Sequence, residues 1–125
     1  PEDLKNHRLL HVDWGDFNIP LPDWRMWTKA AGIEGVDVDQ GPRFTVENMV
    51  IEAAIAGNGV ALVSHHAIAE ELKAGRLVRP FDLVLKADFS YWLVCPHEHL
   101  RRAKVKAFRD WLLEEAAKEI EDGGQ

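Results

Sequence analysis

The chain has 125 residues, 46% hydrophobic and 29% charged, with 21 acidic residues against 15 basic ones and a formal net charge of −6. That is the size of one domain with a modest core. No apolar run approaches the ~20 residues of a membrane helix, and the polar residues 1–8 contain no signal-peptide core. Cys95 is the single cysteine, which excludes an internal disulfide and a cysteine-built zinc site, and the acidic balance argues against a phosphate-binding surface. The composition therefore describes a soluble, cytoplasmic globular unit. Its opening residues read as a loop feeding a strand.

Leu9-Leu10-His11-Val12 is the first expected strand, followed by a loop over residues 13–22 rich in turn formers. Asp23 has N-cap character. Trp24, Trp27, Ala30 and Ala31 recur at helical spacing until Gly32, with both tryptophans on the face that packs against a sheet. Val36-Asp37-Val38 reads as a short strand inside a loop. Thr45 is an N-cap candidate for a helix carrying Val46, Met49, Val50, Ala53 and Ala54, broadened by Ile51 and Ile55 so that more than one side is buried. Gly57-Asn58-Gly59 ends it, and residues 60–63 form an apolar strand covered on both faces. Ser64 is positioned to cap a helix running from His65 to about Ala74. Residues 77–81 then read as a strand at an edge or terminus because of Pro80, and residues 90–95 as another strand, with Tyr91 and Trp92 on alternate faces and Cys95 packed as a small hydrophobe. A helix over residues 100–120 places Val105, Phe108, Trp111, Leu112 and Ala116 on one face. Alternation of helix and strand predicts an α/β fold with parallel pairing.

Six histidines raise the question of a metal, and their spacing answers against it. His65-His66 are neighbours at a helix start and diverge by about 100°. His97-Glu98-His99 would share a face only in an extended segment, and no three-ligand pattern is present. No cofactor motif appears. No nucleophile elbow occurs, and Gly57-Asn58-Gly59 lacks the lysine and the following helix of a phosphate loop. The features with physical capacity for binding are the helix starts at Thr45 and Ser64. First-turn N–H groups there carry partial positive charge at the carboxyl edge of the sheet. Glu47 adds negative charge to the first of them. On the residues alone, two readings stand for Thr45 and Ser64: caps only, or walls of a ligand site.

Two strings carry a specific resemblance. Phe44-Thr45, followed by Glu52-Ala53-Ala54-Ile55-Ala56-Gly57-Asn58-Gly59-Val60-Ala61-Leu62, resembles the core motif of LysR-type transcriptional regulators, and Leu72-Lys73-Ala74-Gly75-Arg76-Leu77-Val78-Arg79-Pro80-Phe81 resembles the string that follows it in that family. Tyr91-Trp92-Leu93-Val94-Cys95-Pro96 and residues 104–112 match the family's ending. Leu9 to Asp13 and Asp23 to Gly32 are similar to the subgroup of glycine-cleavage activators and β-lactamase regulators. The similarity covers residues 4–117.

The resemblance implies one lobe of a type II periplasmic-binding-protein-like fold, residues 1–96 with the hinge strand, then a returning C-terminal helix over 97–120 and a disordered tail over 121–125. The chain is then the C-terminal part of an effector-binding domain, with Pro1 marking a cut. It implies a small-molecule effector at Thr45, Val46 and Glu47, with Tyr91 at the hinge and Ser64 and His65 beside them. The family often has a small hydroxyl residue in this first turn; Val46-Glu47 departs from that pattern and argues against an acidic effector, so that Glu47 would meet an amine or a hydroxyl instead. It implies no enzyme activity, no metal and no membrane partner. DNA is reached only through a winged helix-turn-helix absent from these residues. The final helix folds back on its own lobe or pairs with a second copy, as a homo-oligomer or domain-swapped dimer. A solute-binding module of the same α/β type is the alternative.

Overall fold

The computed structural model describes residues 1–15, 21–87 and 90–123. The expected loop over 13–22 thus lies partly outside the described residues. The chain forms two units, Pro1–Asp88 and Phe89–Gln125.

In the first unit a 3-10 turn, Glu2–Asn6, stands where a plain loop was expected. Leu4 explains it: the side chain is fully buried, and the tight turn brings it under the core. Strand β1 (Leu9–Val12) leads to helix α1 (Trp24–Ala31), strand β2 (Arg43–Phe44), helix α2 (Glu47–Ile55), strand β3 (Val60–Ala61) and helix α3 (His65–Lys73). The strands lie in the order β2-β1-β3 and all pair in parallel, with His11 opposite Arg43 and Leu9 opposite Val60. The expected α/β grammar is therefore present.

Central β1 is buried on both faces. Leu9 joins Leu4, Trp24 and Trp27 in the main core cluster, while Leu10 points the other way, as strand alternation requires. The Trp24 indole N–H donates to the Leu10 carbonyl at 3.0 Å, and the Trp24 and Trp27 rings meet edge to face at 5.8 Å. Asp23 caps α1 by accepting the Met26 N–H at 2.7 Å, and Gly32 ends the helix in the left-handed conformation. Helix α2 packs across all three strands through Val50 and Ile51. Its Val46 and Met49 flank is exposed, so this helix is buried on one side and not on several.

Three expected strands do not form a ladder. Residues 36–38 make a turn in which the Asp37 carboxylate accepts the Asp39 N–H, and Val36 and Val38 reach the core as loop side chains. Residues 77–81 follow the end of α3, where the Arg76 and Leu77 N–H groups return to the Glu71 carbonyl. The segment covers the core by side chains instead: Phe81 stacks on Trp27 at 5.3 Å, and the Leu83 carbonyl accepts the Trp27 indole N–H. Only Val60 and Ala61 of the apolar run 60–63 pair in the sheet, and all four residues are half-buried.

The second unit contains residues 90–95 without strand pairing, a 3-10 turn at His97–His99, and helix α4 (Ala103–Gly123). Tyr91 and Trp92 are 78% and 82% exposed, so neither ring of the pair faces a core, and Cys95 is exposed as well. An apolar run becomes a strand only when a neighbour takes its backbone groups, and among the described residues none pairs with it. Residues 121–123, expected in a tail, continue α4.

Candidate functional site

Parallel pairing brings the ends of β1, β2 and β3 to one edge, and each strand feeds a helix whose first turn starts there. Such an edge is where open α/β sheets receive ligands, because the first-turn N–H groups of several helices face the same space. The three starts are satisfied in different ways. Asp23 closes α1 with its own side chain. At α2 the cap position falls on Val46, one residue beyond Thr45, and no side chain caps it. At α3 the cap position is Ser64, as expected, but its hydroxyl makes no capping bond.

Glu47 reaches the start of α3 by a different bond. From the first turn of α2, its Oε1 accepts the Ser64 backbone N–H at 2.7 Å. A capping box normally uses a glutamate three residues into the same helix for this job. Here position 67 is alanine, and the carboxylate arrives from the preceding helix. Among the described residues no hydrogen bond reaches Oε2 of Glu47. Thr45, Val46 and His65 are exposed around the half-buried Glu47 and Ser64, so five of the expected site residues share this edge. Tyr91 belongs to the second unit, on a segment that forms no strand.

Sequence reasoning missed a second feature of the edge. A cavity of about 80 Å³ opens between the end of β1 and the start of α1, lined by His11, Asp23, Arg25, Asp39, Arg43 and apolar neighbours. The Asp39 carboxylate lies between two guanidinium groups, 3.0 Å from Arg25 and 3.7 Å from Arg43. His11 is buried, with Nε2 at 2.8 Å from the Gln40 carbonyl. Its alternation with Leu9 was the available signal for that burial. The trio of Arg25, Asp39 and Arg43 comes from three separate segments, which no local pattern reveals.

Among the described residues, no serine, threonine or cysteine lines the cavity beside its histidine. Among the described residues no group of three or more His, Cys, Asp or Glu side chains could hold a metal ion. His97-Glu98-His99 is a 3-10 turn closed by the His99 N–H on the Pro96 carbonyl, so the extended geometry that would align the two imidazoles is absent. At the starts of α2 and α3 the edge presents a carboxylate oxygen of Glu47, the Thr45 hydroxyl and the His65 imidazole, none of which lines the cavity.

Residues 1–117 match the family model described as the LysR substrate binding domain. The chain belongs to this family. It is 41% identical over 121 residues to the glycine cleavage system transcriptional activator of Escherichia coli K12, covering 97% of this chain and 38% of that protein. It is 36% identical over 118 residues to the HTH-type transcriptional activator AmpR of Providencia stuartii, and 33% identical over 120 residues to AmpR of Pseudomonas aeruginosa. Those matches cover 94% and 95% of this chain and 38% of each relative. The LysR domain chain thus spans under two fifths of the curated relatives it matches. No solved structure gives a significant match. The relatives are transcriptional regulators by name, and the mixed α/β sheet fits the family's fold.

Proposed function

We propose that this LysR domain chain is the effector-sensing part of a cytoplasmic, non-catalytic transcriptional regulator, and that the effector is a small polar molecule bearing an amine or a hydroxyl. Operator DNA would be held by a helix-turn-helix portion of the kind the relatives' names announce, which suits the acidic balance of these residues. The effector lies over the starts of α2 and α3, against Thr45, Val46, Glu47, Ser64 and His65. The observation that supports this reading is Glu47. Its Oε1 is committed to the Ser64 N–H, while Oε2 stays available to a donor at the open edge.

A donor on the ligand fits because α2 already places an acidic side chain in its first turn. A carboxylate ligand would meet like charge there, whereas an ammonium or hydroxyl gains a charge-assisted hydrogen bond. Occupancy of Oε2 would tie the ligand to both helices through one side chain. That is a physical route from binding to a changed edge. The test is a fluorescence titration of the chain with small amines, amino acids and hydroxy acids, following its tryptophans, with Glu47→Ala alongside. The reading expects saturable binding that Glu47→Ala weakens by about tenfold or more. Unchanged affinity in Glu47→Ala would reject the role of Glu47.

A further inference from the structure

His11 is only 7% exposed, and its ring is held from one side. Nε2 stands 2.8 Å from the Gln40 carbonyl, and the Gln40 side chain is itself fixed by donating to the His7 carbonyl at 2.8 Å. A carbonyl only accepts, so in the neutral ring Nε2 carries the proton and Nδ1 is left as a lone-pair acceptor. Among the described residues no hydrogen bond reaches Nδ1, and no fully buried side-chain nitrogen or oxygen lacks a partner. Nδ1 is therefore the open atom of a buried ring, in the wall of the cavity at the end of β1.

Parallel pairing of β1 with β2 sets His11 opposite Arg43, so the two side chains leave the same face of the sheet. The Arg43 guanidinium makes no hydrogen bond among the described residues, and its contact with Asp39 is a loose 3.7 Å. Arg25 is engaged instead: its Nη2 donates to both Asp39 oxygens, at 3.2 and 3.0 Å. The lining carries two guanidinium groups and two carboxylates, those of Asp23 and Asp39, so its charges balance. Its volume of about 80 Å³ lies far below the ~300 Å³ at which pockets for drug-sized ligands begin.

We infer that this cavity is a site for a compact oxyanion that carries its own O–H, in chemical class a hydrogen phosphate or bicarbonate. Its charged oxygens accept from Arg43, and its hydroxyl donates to His11 Nδ1. An oxyanion without a proton would set an oxygen lone pair against the lone pair of Nδ1, and the balanced lining does not draw in extra negative charge to offset that. A cation would meet Arg43 and reach Asp39 only by displacing Arg25. A neutral alcohol would forgo the charge-assisted bond to the guanidinium. Thr45, Glu47, Ser64 and His65 do not line the cavity, so the site is independent of what the starts of α2 and α3 bind.

Isothermal titration calorimetry of the whole chain at constant ionic strength tests it with two pairs of ions. Phosphate is compared with sulfate, and bicarbonate with nitrate; within each pair the shape is kept and the O–H is lost. Amide shifts at residues 11, 39 and 43 locate the binding. The expected result is saturable binding of phosphate, bicarbonate or both, with a Kd of about 1 mM or tighter. The ion with the O–H binds at least about tenfold more tightly than its counterpart. Arg43→Met, at an exposed side chain, weakens binding by about tenfold or more. His11→Phe, its fold checked by circular dichroism, brings the protonated ion down to the level of its counterpart. Saturation by neither ion, sulfate and nitrate binding as tightly as their partners, or Arg43→Met binding like the parent chain would each overturn the proposal. So would a folded His11→Phe that keeps the preference.

Discussion

The Ser64 backbone N–H donates to Glu47 Oε1 across 2.7 Å, so the start of α3 is held by a carboxylate from α2. The bond joins two helices that are separated in the chain by β3, at the edge where all three strands end. Glu47→Ala should destabilise the fold by about 1–2 kcal/mol, since a half-buried amide loses a charged acceptor. Ser64→Ala should change stability by less than about 0.5 kcal/mol, because the hydroxyl caps nothing. Urea unfolding of the two variants checks the contrast. Hydrogen exchange at the first turn of α3 should accelerate in Glu47→Ala alone.

Trp24 links α1 to the central strand through its ring and its N–H. Trp24→Phe keeps an aromatic ring in the core but leaves the Leu10 carbonyl without that donor. A loss of about 2 kcal/mol is expected in urea titration. Asp23→Ala removes only the α1 cap and should cost about 1 kcal/mol.

Gly41 sits at φ 105°, and a Cβ there would overlap the Leu9 carbonyl oxygen of the central strand. Backbone cannot retreat as a flexible side chain would. Gly41→Ala should therefore lower stability by about 3 kcal/mol, combining left-handed strain with overpacking. Gly32 also has a left-handed φ but has open space around its Cβ direction. Gly32→Ala should show the strain alone, about 1–2 kcal/mol, on a thermal unfolding scan.

At the end of α3, the Arg76 guanidinium hydrogen-bonds Glu71 and holds its carboxyl below the ordinary value of 4.5. A lowered carboxylate value means the pair's support is fully present above pH 4.5 and fades as pH falls through the lowered value. The C-terminal turn of α3 should accordingly lose exchange protection on acidification below that point. Glu71→Gln should flatten this part of the pH dependence while leaving the neutral-pH fold intact.

Much of the first unit was legible because its signals are local. Asp23, the tryptophan spacing and Gly32 specify α1 from end to end, and Leu9–Val12 is apolar at every position but one. The segments 77–81 and 90–95 misled for a physical reason. An apolar run declares that it resists water, yet only a neighbouring strand makes it β, and the neighbour is not written in the run itself. The first covers Trp27 by side chains, and the second stands exposed. At the candidate site, the residue types at positions 45, 47 and 64 were visible, whereas the bond from Glu47 to Ser64 depends on how α2 and α3 lie across β3. The Arg25, Asp39 and Arg43 cluster was invisible for the same reason.

The proposed function requires that a small polar effector be recognised at the start of α2 and α3 through Glu47. Amide chemical-shift mapping of the labelled chain against amines, amino acids and hydroxy acids tests it most directly. The predicted result is a ligand whose shifts concentrate at residues 45–48 and 64–66 and vanish in Glu47→Ala. Shifts centred instead on the His11 and Arg43 cavity, shifts that survive Glu47→Ala, or no response to any compound would contradict it.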